Sequence, residues 1–473
     1  MKKTVSVLLA ALLFLTLVCA AAAEEITLPV HVQGPIFGGG GQDSIALEIR
    51  FDPERVSGGE PDVYDPELAV FCALLSADVY FRTKDVDRGT PNRVLIDRTD
   101  PAEYSPTALL GALGCEDVRY IESYKTGAYE TDPNDSVTLT LAYFTAGETD
   151  DGFILSVRGC FSIGEWSSIF DPGADTDAYA GLTGAHPEWT DTACIKGASV
   201  AAARAMAILR AYMAEHNDPS RHHSVLVTGH SRGGMIAEIL GAQLEADPAL
   251  KSRTYTFNAA PVTTDRTAPE CRTVFNIYDS ADFFSGYLPF GNETFYRYGR
   301  SVCPTDQAMI RVAAAALKDT DDYRCVLPQA AAEYAELFSA LFPDRASLYE
   351  PLTFTRSFTD ASAAAAAREE CLTLLGAEAG LGLAPFASVD ETEETAPGEY
   401  TVRIRYCRAA LLICIGRVLA YGQSARDAVC TLFAEEEGIC AIADWILRNA
   451  ADISGGHRLL NSYVIGSLVR PEE

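Results

Sequence analysis

Ser224-Val-Leu-Val-Thr-Gly-His-Ser-Arg-Gly-Gly234 runs from a hydrophobic stretch straight into a segment of helical spacing. Val225, Leu226 and Val227 read as a short buried strand, and residues 235–244 read as a helix. Between them stands Gly229-His-Ser231-Arg-Gly233, a G-x-S-x-G pattern. Average Gly and Ser usage supplies such a match by chance roughly 0.1 to 0.2 times in a chain of this size, so the pattern alone decides little. Its setting decides more. A strand-to-helix turn this tight needs small residues two positions either side of the serine, and it lifts the hydroxyl above the sheet at the positive end of the following helix. Gly229 and Gly233 supply that clearance, and Gly234 lets the helix pack closely.

A serine hydroxyl is a poor nucleophile at neutral pH unless a histidine, oriented by a carboxylate, takes its proton. On a sheet of this kind the chain order is serine, acid, histidine. The chain has 7 histidines, and His457 alone follows Ser231. For the acid, Val274-Phe-Asn-Ile-Tyr reads as a strand, and Asp279 and Asp282 lie just past it, at the carboxyl edge where such sheets hold their ligands. Spacing leaves both open, with Asp265 a distant third. Acyl transfer also needs N–H donors for the developing oxyanion. The backbone of Arg232, directly after the nucleophile, should supply one; the second normally comes from a loop after an earlier strand, and Val157-Arg-Gly-Cys160 fits that place.

Working outward, strand patterns at 153–157, 224–228, 254–257 and 273–278 alternate with helical ones at 193–216 and 235–244, which predicts a mostly parallel sheet with helices on both faces. Residues 137–144 alternate Thr with apolar residues, as a half-exposed strand does. Residues 66–80 carry helical spacing, with Pro66 suited to the first turn. Residues 25–61 read as a Gly-rich peripheral β segment. Beyond Arg300 the texture becomes Ala-rich and helical at 306–341, 360–375 and 409–449, with an acidic solvated loop at 388–398.

The chain has 473 residues, 48% hydrophobic and 22% charged, which suits a globular protein rather than a disordered one. Lys plus Arg total 37 against 66 Asp plus Glu, a formal charge of −29. That sign argues against nucleic acid or an anionic membrane surface as partner. Lys2 and Lys3, an apolar run at 5–18 and alanines at 20–23 read as a secretory signal cleaved after Ala23, with an uncleaved N-terminal anchor as the rival. Export permits disulfides, but the cysteine spacing is diffuse; Cys303 and Cys325 are the one candidate pair, and the rest read as small buried hydrophobes. Metal binding finds no support, and no cofactor is called for.

With these residues in hand, the chain resembles the class 3 lipases, especially bacterial relatives with a GHSRGG elbow. Arg158-Gly159-Cys160 is similar to the family's oxyanion tripeptide, and Gly164-Glu-Trp-Ser-Ser-Ile-Phe170 to the Trp segment that follows it. Residues 68–80 resemble its N-terminal helix and His186 the histidine before its long helix, here given a structural role. Asn276, Asp282 and Leu288-Pro289 match its acid loop and favour Asp282; His457 with Ser462-Tyr463 matches its catalytic-histidine segment. Cys160 departs from the usual Thr or Ser, and Arg232 from the more frequent Leu, its side chain expected to meet an anionic group or solvent.

The resemblance implies an α/β-hydrolase: signal peptide at 1–23, β segment at 24–61, hydrolase core at 62–304, a helical insertion with the acidic loop at 305–399 as a candidate cap or lid, and a C-terminal helical part at 400–473 carrying His457. It implies a secreted serine ester hydrolase of lipase type, acting on small-molecule or lipid esters and touching a lipid interface transiently. Two readings stand beside it: an exported binding protein on a weakened hydrolase scaffold, with Cys160 as the motive, and an acyltransferase using the same triad. Sequence leaves the oligomeric state open.

Overall fold

The computed structural model describes residues 25–33, 44–80, 93–96, 104–123, 137–160, 165, 169–170, 194–279, 282–286, 295–302, 328–343, 346–376, 380–383, 386–434, 436–457 and 463. The leader, the glycines at 38–41, Trp166, His186, Leu288, Cys303, Cys325 and Ser462 lie outside them.

Seven strands form the central sheet: β4 (Glu116–Ser123), β5 (Val137–Ala146), β6 (Asp150–Val157), β7 (His222–His230), β8 (Leu250–Phe257), β9 (Val274–Ile277) and β10 (Arg300–Val302), in spatial order β10-β9-β8-β7-β6-β5-β4. Pairings from β6 to β10 are parallel, and β5 and β4 extend the sheet antiparallel. Alternation along the strands sends side chains to two cores. Leu155, Val225 and Val227 face one, with helices Lys196–Glu215 and Arg232–Glu245; Ile154, Leu226 and Phe257 face the other, with helix Pro66–Asp78. A mostly parallel sheet covered on both faces is the α/β-hydrolase architecture expected above.

Helix Pro66–Asp78 starts as the sequence predicts, with Pro66 in its first turn and the Asp65 carboxylate accepting from the N–H groups of Glu67 and Leu68 at 2.9 and 3.3 Å. Before it, β1 (Ile26–Gln33) and β2 (Ser44–Phe51) pair antiparallel, and β3 (Arg93–Ile96) joins β1 on its other side.

Three expectations change. Residues 137–146 are not half exposed: Thr138 and Thr140 are as buried as Leu139, since β5 has helices on both faces, Lys196–Glu215 on one and Pro53–Gly58 on the other, and Thr140 lies beside Ser156, which meets helix Pro66–Asp78. The acidic stretch at 388–398 is not a loop. It forms β12 (Ala387–Val389) and β13 (Glu393–Ala396), both antiparallel to β14 (Glu399–Tyr406), which also pairs β11 (Leu352–Phe358). Its acids are held by β14 cations: Asp390 meets Arg405 at 2.8 Å and Glu393 meets Arg403 at 2.9 Å. The helical stretch at 409–449 is three helices, Arg408–Tyr421, Gln423–Leu432 and Glu437–Gly456, the first break falling at Gly422 with φ +63°. The buried aromatic and aliphatic side chains of these helices, Trp445 among them, join the same core as Leu155 and Val227. Among the described residues no helix is long and apolar enough to cross a membrane.

Candidate functional site

The turn after β7 has the geometry its glycines anticipate. Ser231 sits at φ +58°, ψ −128°, a strained region for a residue with a side chain. Its N–H donates to Phe257 O on β8 at 2.9 Å, and its C=O accepts from Met235 N at 3.1 Å to open the helix. A methyl on Gly229 would stand 2.3 Å from Gly233 O, and one on Gly233 would stand 2.2 Å from Val157 O. No larger residue fits either position without moving backbone.

His457 follows the last helical turn of Glu437–Gly456. Its Nε2 lies 2.8 Å from Ser231 Oγ, and its Nδ1 lies 3.1 and 3.0 Å from the two carboxylate oxygens of Asp282. All three residues are buried. A carboxylate only accepts, so Nδ1 carries the proton toward Asp282, and Nε2 is left to accept from the serine hydroxyl. Asp282 is fixed in turn by donors from the short helix Phe283–Gly286: Phe284 N at 3.1 Å, Ser285 N at 3.3 Å and the Ser285 hydroxyl.

Of the acids left open by spacing, Asp282 is the one that meets the imidazole. Asp279 is also buried, and its C=O accepts from Asp282 N at 2.9 Å. Asp265 is exposed and caps a turn, accepting from Thr267 N at 2.8 Å.

Cys160 follows β6 and is buried, which pushes its thiol up and leaves it a poor nucleophile. The preceding Gly159 is pressed against the elbow: a methyl there would lie 2.4 Å from His230 O and 3.1 Å from Ser231 Cβ. Arg158 is fully buried with Glu165, Nη2 to Oε1 3.2 Å, tying the chain after β6 to the Trp segment. Arg232 is the first residue of helix Arg232–Glu245, where first-turn N–H groups lack intrahelical partners. Its side chain does not reach solvent, one of the two surroundings expected for it: it is buried and donates to Gly197 O at 3.0 Å, under helix Lys196–Glu215.

Three neighbours of the site, Tyr80, His230 and Arg297, carried no sequence signal of their place there, and Ser285 only a partial one. Ser285 is recoverable in part, since a serine three positions after an aspartate is a local capping pattern. Arg297 donates to Ala259 O at 2.9 Å and to Ser285 O, bracing the acid turn from below. The Phe284 ring lies 4.4 Å from the His457 imidazole, an apolar wall beside it. Chemically, the arrangement is a serine with a buried, oriented proton acceptor, next to a helix N-terminus.

No protein-family model matches the chain, and no curated protein matches it. Among solved structures it is similar to the triacylglyceride lipase of Rhizomucor miehei, at 18% identity over 53% of this chain and 83% of that one, TM-score 0.33. It is also similar to the Lip2 lipase of Yarrowia lipolytica, at 15% identity over 50% of this chain and 77% of that one, TM-score 0.31. A triacylglycerol lipase of Penicillium expansum gives 16% identity over 50% of this chain and 80% of that one, TM-score 0.30.

Proposed function

We propose that this chain is an exported serine ester hydrolase of lipase type. The observation that carries the reading is the unbroken contact from Asp282 through His457 to the Ser231 hydroxyl. Ser231 Oγ attacks the acyl carbonyl as its proton passes to His457 Nε2, while Asp282 holds Nδ1–H and steadies the imidazolium. The N–H groups of Arg232 and Cys160 receive the oxyanion. His457 then protonates the leaving alkoxide, and the alcohol departs from the acyl-enzyme. Water attacks in its place, giving its proton to His457, and the carboxylic acid leaves with Ser231 restored. Cys160 in place of a hydroxyl residue keeps its backbone donor, so the departure from the family pattern leaves this route intact. A lipid acyl group is favoured by the family resemblance, and export by the leader-like N-terminus.

The test is covalent labelling with a fluorophosphonate, comparing wild type with Ser231→Ala and His457→Ala. Labelling of wild type alone, followed by turnover of p-nitrophenyl esters that rises with acyl length, supports a lipase. Wild-type protein that neither labels nor hydrolyses any ester in the series would overturn the reading. Acyl transfer to an added alcohol in preference to water would shift it to a transferase.

A further inference from the structure

Two buried side chains outside the triad form a chain of hydrogen bonds that ends on the main chain of His457 itself. Tyr80, just past helix Pro66–Asp78, and His230, the last residue of β7, are both 1% exposed. Tyr80 Oη is packed against Gly159, where a methyl would lie 2.0 Å from it, and lies 2.9 Å from His230 Nδ1. His230 Nε2 lies 3.1 Å from the carbonyl oxygen of His457.

The polarity of this chain is forced by the chemistry of its ends. A carbonyl oxygen only accepts, so His230 Nε2 carries a proton. Burial disfavours the charged ring and holds its pKa well below the ordinary range, so Nδ1 is bare and accepts from the Tyr80 hydroxyl. Protons therefore point one way, from Tyr80 to His230 to His457, and the Tyr80 hydroxyl abuts Gly159, so four segments distant in sequence meet here.

Those segments are the ones whose mutual register the proposed chemistry needs. Gly159 precedes the Cys160 N–H, His230 precedes Ser231, and the His457 carbonyl belongs to the base. The imidazole of His457 is aimed by Asp282 through its side chain, but the position of its backbone is set here, by the residue next to the nucleophile. The His230 ring also lies 5.0 Å from the His457 ring, so the contact is packed as well as hydrogen-bonded.

Resting on the hydrolase reading, we propose that Tyr80 and His230 are positioning residues that hold the catalytic base and the second oxyanion donor in register with Ser231. Neither touches the reacting atoms. Tyr80→Phe keeps the ring and its burial and removes one oxygen, so a merely packing role leaves turnover unchanged.

The experiment measures fluorophosphonate labelling rate, kcat and KM for p-nitrophenyl butyrate, and the imidazole 15N shifts of His230. Tyr80→Phe is expected to lower labelling and kcat by about 10-fold or more with KM within about twofold, since misplacement of the base by a fraction of an ångström acts on the transition state. His230→Gln, which keeps an N–H donor, is expected to retain more activity than His230→Leu. Adding Tyr80→Phe to His230→Leu is expected to cost little more, because the two act as one chain. The 15N spectrum of wild type is expected to show the Nε2–H tautomer. Tyr80→Phe turning over within twofold of wild type, or an Nδ1–H tautomer at His230, would overturn the proposal. A wild type that fails to label sinks the hydrolase reading instead, and the tautomer still decides the relay.

Discussion

Asp282→Asn tests the site at the point where sequence left a choice. The wild-type carboxylate accepts from His457 Nδ1 on both oxygens, from Phe284 N on Oδ1, and from Ser285 N and the Ser285 hydroxyl on Oδ2. An asparagine offers one oxygen and one NH2 to the same surroundings. With its NH2 at the Oδ2 position, the Ser285 N–H faces another donor; with its NH2 at Oδ1, the Phe284 N–H does. In both orientations the imidazole gains a neighbouring NH2 and loses the charge that stabilises its protonated form. The ring is then drawn toward the Nε2–H tautomer, which cannot accept from Ser231. Removing an orienting carboxylate in this way costs about 10⁴ in turnover, or about 5 kcal/mol of transition-state stabilisation. Asp279→Asn, at the neighbouring buried carboxylate, should cost less than about 10-fold by the same scale. The assay is kcat/KM for p-nitrophenyl butyrate on variants whose circular dichroism and thermal midpoint match wild type. A folded Asp282→Asn that keeps a tenth of wild-type turnover, or an Asp279→Asn that falls as far, refutes the assignment.

Gly159→Ala should be more damaging than a methyl group suggests. The new Cβ would lie 2.0 Å from the Tyr80 hydroxyl and 2.4 Å from His230 O, so the end of β6 must retreat from the elbow by about 1 Å, a displacement that costs about 10² in kcat/KM. Gly111→Ala, which meets nothing within 4 Å, is the control and should leave activity unchanged. Asp78 gives a pH test. Burial raises its pKa to about 7, against the pull of hydrogen bonds from Tyr104 and the Val94 N–H. The folded state therefore binds a proton that the unfolded chain releases near pH 3.9, so this residue's contribution falls as pH rises from about 4 to about 7 and is flat above. The span corresponds to about 4 kcal/mol at most. Asp78→Asn should flatten that slope in thermal melts and gain on wild type above pH 7; an unchanged slope would rule the assignment out.

What the sequence disclosed, and what it withheld, follows from the range of each interaction. The elbow is local: strand, turn glycines and helix all lie within 222–245, so one short window carries the fold's central crossover and the positive-φ serine. His457 was reachable because chain order left one histidine to consider. Asp279 and Asp282 were not separable, since both follow β9 and both are buried; which one meets the imidazole depends on side-chain direction in a turn. The two-sided burial of Thr138 and Thr140 was hidden because alternation reports one strand, not the helices laid over it. The strands at 387–396 were hidden by their charge, which reads as solvated until β14 brings arginines opposite. Tyr80 and His230 were invisible for a stronger reason: no spacing links positions 80, 230 and 457.

The remaining question is how the end of the chain is brought to the elbow, and the aromatic contacts answer it. Helix Glu437–Gly456 carries Trp445, whose ring stacks on Phe283 at 5.1 Å and lies 5.0 Å from Tyr334. Trp445 Nε1 donates to Ala330 O at 2.9 Å, pinning the helix to Pro328–Leu341. Phe283 directly follows Asp282. The same stack that docks the C-terminal helix therefore grips the residue beside the acid, and the distance between acid and base is set by packing rather than by a flexible tail. Helix Pro328–Leu341, in the stretch that reads from sequence as an insertion, supplies Tyr334 and the Ala330 carbonyl to this joint. It belongs to the frame that aligns Asp282 with His457.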